Sequence, residues 1–363
     1  MSSYPRPSNS EEASSPRPVA FPSSMKPILL TVVHTEEEFD WAQPFDRAHN
    51  AVTNLRDLER GQEIFSRHGA IPVYMVDYPV VSQDTGIRAL QAVIAGTGAT
   101  IGAHLHPWVN PPFEETVSRF NSYPGNLPHG LEEAKLVELS ERIEAAVGVR
   151  PRDYLAGRYG SGANTISILQ KLGFRSDFST VAMTDYSADG GPDFRDRGNF
   201  CCWEGDGDAP ILRIPHNVAD VGFLCRNATR PFAVEEHPFL RRIHLTGVLS
   251  RLGAVTRVRL TPEGFDLNHL QACALALVKS GVRVLVSSLH SPSLVPGCTP
   301  YVRDRADLAE FLMRIDRFLR FFRSLLDGEF CRPEEVQRLV EGATYKLTEL
   351  DRNKSPRGIN LPG

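Results

Sequence analysis

From Ile28 onward the chain alternates short apolar runs with stretches of helical periodicity, and this alternation constrains the fold more than any other feature. Apolar runs at Ile28–Val33, Ile71–Val76 and Ala99–His104 enclose helical patterns near Asn54–His68 and Gly86–Ala95. The order continues with a helix near Leu131–Val147, a strand near Tyr154–Arg158 and a helix near Asn164–Leu172 that Gly173 would cap. It resumes with a helix at Leu267–Ser280, a strand at Val282–Leu289 and helices at Asp304–Leu326 and Pro333–Glu349. Strands separated by helix-length segments pair in parallel through helical crossovers, so the pattern predicts an α/β fold with a parallel sheet or barrel. The stretch Thr184–Phe265 is less regular and rich in Gly, Asp and Arg. A strand at Ile211–Pro215 and loops over one end of the barrel are expected there.

Domain boundaries follow from where apolar residues run out. Residues 1–24 are Ser- and Pro-rich and carry too few apolar groups to offset the entropy of ordering, so a disordered lead is expected. A single barrel domain is expected over residues 25–328, then a helix and polar tail over 329–363. The lead lacks the apolar core of a secretory signal, which predicts a cytoplasmic address. No apolar run approaches the roughly 18 residues that span a bilayer, so no membrane role is expected.

Forty basic against 44 acidic residues give a net charge of −4, leaving no global field to attract nucleic acid. Cysteines at 201, 202, 225, 273, 298 and 331 show no C-x-x-C spacing and predict reduced thiols rather than a zinc ribbon or disulfide framework. There is no G-x-S-x-G elbow, no P-loop and no G-x-G-x-x-G, which argues against a serine nucleophile and against phosphate binding. Asn227-Ala-Thr229 fits the glycosylation acceptor pattern, which has no meaning in a cytoplasmic chain.

In parallel α/β folds chemistry gathers where strands end, so the polar residues at those points are the candidates. In Ile101-Gly-Ala-His-Leu-His-Pro-Trp108, His104 and His106 are two apart, and an extended backbone directs both imidazoles to one face. Such a pair is half of a zinc site, or else two hydrogen-bonded core histidines. The strand Leu29–Val33 runs into His34 and three carboxylates, Glu36, Glu37 and Glu38, which offer a third ligand or a general base, or simply solvated charge. His290 ends another strand and is placed to protonate a leaving amine. Asp77, Arg158, Asp177 and His216 occupy further strand ends, while His244 lies in the irregular stretch and belongs either to the site or to the surface.

Taken together, TVVHTEEEFDW, VYMVDYPV, IGAHLHPWVNPPF, LAGRYG, DYSADGGPDF, LTPEG and LHSPSLVPGCTPYVRD resemble the polysaccharide deacetylases (carbohydrate esterase family 4, NodB homology), in the WalW-like branch. The resemblance runs from about Lys26 to Phe322. It implies a distorted (β/α)7 NodB-type barrel, one divalent cation, usually zinc, and hydrolysis of an N-acyl group on a small-molecule or oligosaccharide substrate by a metal-bound water. It also implies that His104 and His106 are metal ligands and that His290 is the general acid.

Two departures from the family pattern stand out. The position of the first-motif aspartate holds His34, and the arginine that supports that aspartate in relatives is replaced by Leu155. Losing both partners is physically consistent, because an arginine left without its carboxylate would be a buried unpaired charge costing about 3–5 kcal/mol. Three readings follow. His34, His104 and His106 form a three-histidine zinc site, with Glu36, Glu37 or Asp77 as base; or metal is retained with altered chemistry; or the barrel is a pseudoenzyme that binds a carbohydrate or partner. Arg158 is expected to hold substrate or orient a carboxylate, and Trp108, Tyr159 and Trp41 to face a sugar ring or pack in the core.

Overall fold

The computed structural model describes residues 16–39, 43–222, 225 and 255–342. Seven parallel strands form the body of its main sheet: β2 (Ile28–Thr35), β3 (Pro72–Val76), β4 (Thr100–Leu105), β5 (Asp153–Ala156), β6 (Ser176–Asp177), β8 (Ile211–Arg213) and β11 (Val284–His290). They lie in the order β8-β6-β5-β4-β3-β2-β11. Helices α1 (Leu58–His68), α2 (Tyr78–Ser82), α3 (Asp84–Ile94), α4 (His129–Val147), α5 (Thr165–Leu172), α6 (Leu267–Lys279) and α7 (Arg305–Leu325) connect them. This is the expected α/β barrel of one domain. Beyond β8 the sheet continues antiparallel through β7 (Cys202–Glu204) to β1 (Arg17–Pro18), while β9 (Val218–Val221) and β10 (Thr256–Arg259) form a separate antiparallel pair. Between β8 and β11 a side chain bridges the gap, with the Val286 amide donating to Asn217 Oδ1 at 2.8 Å.

Every residue of β2 is buried, as a strand covered on both faces requires. Period-two alternation sorts its side chains into two cores. Ile28, Leu30 and Val32 point into the barrel with Val73, Met75, Leu155, Leu212, Ile214, Val284 and Val286. Leu29 and Val33 pack outward with Tyr74, Ala103, Leu105, Tyr154, Leu285 and the helices. Continuing the inner parity past the last apolar residue of each strand gives His34, His104, His216 and His290. A ring of imidazoles therefore closes the carboxyl end of the barrel.

Several boundaries differ from the sequence expectation. Residues 17–18 pair with β7, the Val19 amide donates to Cys201 O at 2.9 Å, and Val19 is buried, so the expected disordered lead is docked from about residue 17. The barrel sheet also passes the expected end at 328, since β12 (Glu329–Phe330) pairs with the start of β2. The strand expected to reach Arg158 stops at Ala156 because Arg158 and Tyr159 turn into left-handed backbone, φ 54° and 59°. Residues 333–342 are helical; Trp41, Asn227, His244 and the rest of the last expected helix lie outside the described residues. Gly173 ends α5 in the left-handed conformation, φ 80°, as expected. All six cysteines are free thiols.

Candidate active site

Strand register assembles the site. His34 and His290 are direct neighbours on β2 and β11, and His104 lies beside Leu155 on β4 and β5. The ring centroids of His34 stand 4.4 Å from His290 and 5.2 Å from His104, and those of His104 and His106 are 4.4 Å apart. The loop after β2 brings Glu36 into this ring. Its Oε2 lies 3.3 Å from His104 Nε2 and 3.6 Å from His106 Nε2.

The far nitrogens of both histidines are fixed from outside. His104 Nδ1 donates to the Leu155 carbonyl at 2.8 Å, and His106 Nδ1 donates to Glu37 Oε2 at 2.8 Å. A carbonyl only accepts, so His104 carries its proton on Nδ1 and turns a bare Nε2 toward Glu36. Asp77 supports Glu37 by accepting its backbone amide at 2.9 Å and also caps α2 by accepting from Val80 N at 3.1 Å. Gly157 is needed here for space, since a Cβ on it would fall 2.5 Å from Leu105 O and 2.7 Å from the His106 ring.

Burial sets the charges. It lowers His104 and His106, and lowers His34 well below the ordinary imidazole range, where His290 and His104 add to the effect, so these rings are neutral near pH 7. Burial works against ionised Glu36, but His290, His104 and His106 outweigh it and hold the carboxyl below its usual range. Burial pushes Glu37 up to about 7 and, with Glu37 beside it, Asp77 well above the ordinary carboxylate. His290 is the exception among the histidines. Burial would lower it, yet the Glu263 and Glu36 carboxylates raise it to about 9. Glu263 receives His290 Nδ1 at 2.7 Å, the His290 amide at 2.9 Å and Ser293 Oγ at 2.6 Å.

These groups open onto a cavity of about 330 Å³ lined by His34, Glu36, His104, His106, Trp108, Arg158, Tyr159, Arg259 and His290, with Phe39, Phe45, Tyr123, Tyr186, Asp189 and Tyr301. Trp108 stacks on His106, centroids 4.4 Å apart and 21° between planes. Arg158 reaches the cavity but is committed to Asp189, donates to Ser122 Oγ at 2.6 Å and lies 4.0 Å above the Tyr123 ring. Glu37 and Asp77 sit behind His106 and do not line the cavity, leaving Glu36 and Asp189 as its carboxylates among the described residues. Asp177 lies deeper, accepting from Ser179 N at 2.9 Å beside Arg213. His216 is fully buried with neither ring nitrogen partnered, 5.8 Å from the His34 ring.

The donor chemistry fits a divalent cation. Zinc with ligand bonds of about 2.0–2.2 Å at tetrahedral angles separates neighbouring ligand atoms by roughly 3.3–3.6 Å, the spacing seen between Glu36 and the two Nε2 atoms. His34, Glu36 and His104 present ligand atoms all within 4.8 Å of one another, as do Glu37, Asp77 and His106, and the Nε2 of His34 has no hydrogen-bond partner. Sequence reasoning placed Glu36 in this cluster but passed over Glu263, Arg259, Asp189, Tyr186 and Tyr301. Glu263 had a signal, for it stands in the LTPEG motif. Tyr186 and Asp189 stand in DYSADGGPDF and Tyr301 in LHSPSLVPGCTPYVRD, whereas Arg259 sits in the irregular stretch, where no periodicity assigns a face.

No family model matches the chain, and no curated protein matches it. Among solved structures it is similar to one assigned as a polysaccharide deacetylase from Mycobacterium smegmatis, at 14% identity and TM-score 0.51, covering 97% of this chain and 100% of that one. It is also similar to Puue allantoinase, at 15% identity and TM-score 0.53, covering 93% and 97%. A third is assigned as a glycoside hydrolase/deacetylase from Parabacteroides distasonis, at 10% identity and TM-score 0.51, covering 85% and 70%. At these identities the likeness establishes the fold. The chain is a single-domain α/β barrel of the NodB type. Among the described residues no helix is long and apolar enough to cross a membrane.

Proposed function

We propose that the protein is a metal-dependent hydrolase that removes an N-acyl group from a sugar-like small molecule, with Glu36, His104 and His106 holding one divalent cation, zinc by its donor set. The observation that carries this is the Glu36 carboxylate facing two Nε2 atoms whose Nδ1 sides are fixed by Leu155 O and Glu37. Such outer partners orient ligating histidines in metal sites generally. A bound divalent cation polarises an amide carbonyl and makes water a usable nucleophile near neutral pH.

The chain's own groups supply the proton transfers. His34, neutral and with its Nε2 unpartnered, occupies the base position and accepts the proton of the attacking water. His290, kept protonated by Glu263, donates to the departing amine. Trp108 and Tyr159 present ring faces to the substrate, and Arg158 fixes Asp189 and Tyr123 at the cavity rim.

A second reading has its own observation. The mutual closeness of His34, Glu36 and His104 would make His34 a ligand in place of His106. Elemental analysis of purified wild type, His34→Ala, His104→Ala and His106→Ala, with acetate release assayed on the same samples, separates the two. Under the first reading His34→Ala keeps stoichiometric metal and loses about 10²–10⁴ in rate, whereas His104→Ala and His106→Ala lose metal. Metal lost from His34→Ala and kept in His106→Ala supports the second. A folded wild type that takes up no divalent cation sinks both and favours a binding role for the barrel.

A further inference from the structure

Most charges lining the cavity have a near partner: Asp189 has Arg158 and Arg119, His290 has Glu263, and Glu36 faces the Nε2 atoms of His104 and His106. Arg259 differs. Among the described residues no carboxylate lies within ion-pair distance of its guanidinium, which sits 5.3 Å over the Tyr159 ring. The titratable groups nearest it are the phenols of Tyr159, Tyr186 and Tyr301 and the carboxylate of Glu263, which already accepts three hydrogen bonds from His290 and Ser293.

Its position is built in. Arg259 is the last residue of β10, opposite Val218 of β9, and the next residue, Leu260, accepts the Ser288 amide at 3.1 Å. That bond fastens the end of β10 beside β11 two residues before His290, so Arg259 and His290 open into the same cavity.

We propose, resting on the hydrolase reading above, that the substrate carries a carboxylate and that Arg259 is the residue that selects it. A guanidinium offers a planar fork of donors that grips a carboxylate through two parallel N–H···O bonds. A carboxylate matches that fork in plane and carries the single negative charge that one guanidinium pairs with. The cavity is near the lower end of the size range of small-molecule sites, which suits a single acylated unit better than a polymer chain.

The test is calorimetric binding of three probes to wild type, Arg259→Gln and Arg259→Lys: N-acetylglucosamine, the same sugar oxidised to a carboxylate at C6, and its 6-phosphate. Acetate release is assayed on the same samples. Wild type should bind the carboxylate probe about tenfold or more tightly than the neutral sugar, the worth of one charge-assisted contact. Arg259→Gln should lose that factor, and Arg259→Lys should keep part of it. Equal binding of the neutral and carboxylate probes by wild type, tighter binding of the phosphate, or failure of all three to bind overturns the proposal. So does an Arg259→Gln protein that keeps the preference. Carboxylate preference without acetate release upholds the role of Arg259 and refutes the hydrolase reading; acetate release without preference does the reverse.

Discussion

Lys135 of α4 makes the sharpest stability prediction. Its side chain is fully buried, and its ammonium donates to the carbonyls of Pro107 at 3.0 Å, Asn110 at 2.6 Å and Pro112 at 2.7 Å while pairing with Glu115 Oε2 at 2.9 Å. Four acceptors around one cation knot together the loop that follows β4 and carries Trp108. Lys135→Met leaves three carbonyls without that donor and Glu115 without its nearest cation. Breaking a buried pair from one side costs about 3–5 kcal/mol. Arg47 remains 3.5 Å from the other Glu115 oxygen, so the loss belongs at the lower end, about 3 kcal/mol. Urea unfolding followed by circular dichroism measures it. The double variant Lys135→Met/Glu115→Gln should regain more than about 1 kcal/mol, because the stranded carboxylate is gone. The loosened loop should also free Trp108 from His106 and weaken metal uptake by roughly tenfold or more. A Lys135→Met protein within about 1 kcal/mol of wild type with an unchanged unfolding slope would refute the reasoning.

Three further outcomes are expected. Glu132 is buried, among the described residues only Thr165 Oγ1 donates to it, at 2.6 Å, and burial pushes it up to about 7. The folded state therefore holds a proton that the unfolded state releases, and stability should fall as pH rises from about 4.5 to 7; Glu132→Gln should remove this slope, gaining at most about 3 kcal/mol at pH 8 and nothing below pH 4, as read by melts across pH. Glu263→Gln removes the main group that raises His290, so the alkaline limb of acetate release should move to lower pH; an unmoved limb would exclude His290 as the donor. Gly157→Ala forces a methyl group into the His106 ring and Leu105 carbonyl, and should lower metal affinity by about 10–100-fold while the far-UV spectrum is kept.

How much of this was legible in the sequence depends on which physical signal each feature leaves. The barrel was legible because buried parallel strands write themselves as apolar runs, and the same parity that buries Ile28, Leu30 and Val32 inward carries His34 to the inner face at the end of β2. His104, His106 and His290 reach the same end of the barrel for the same reason: each belongs to a run whose register is fixed. Leu155 reads as a lost arginine in sequence, and in the structure its side chain completes the apolar interior while its carbonyl holds His104. The roles within the acidic triplet were not legible. Glu36 and Glu37 are adjacent, and one faces both Nε2 atoms while the other stands behind His106; the parity of β2 thus runs on past Thr35 and is lost at Glu38, which turns away to accept from Thr53 Oγ1 and Asn54 N, and no residue of the triplet marks that change. Arg259 was hidden for a related reason: it ends a four-residue strand in an irregular stretch whose partner, β9, is more than thirty residues away. What identifies it is not its neighbours in the chain but its place in the cavity, where among the described residues no carboxylate lies within ion-pair distance of its guanidinium.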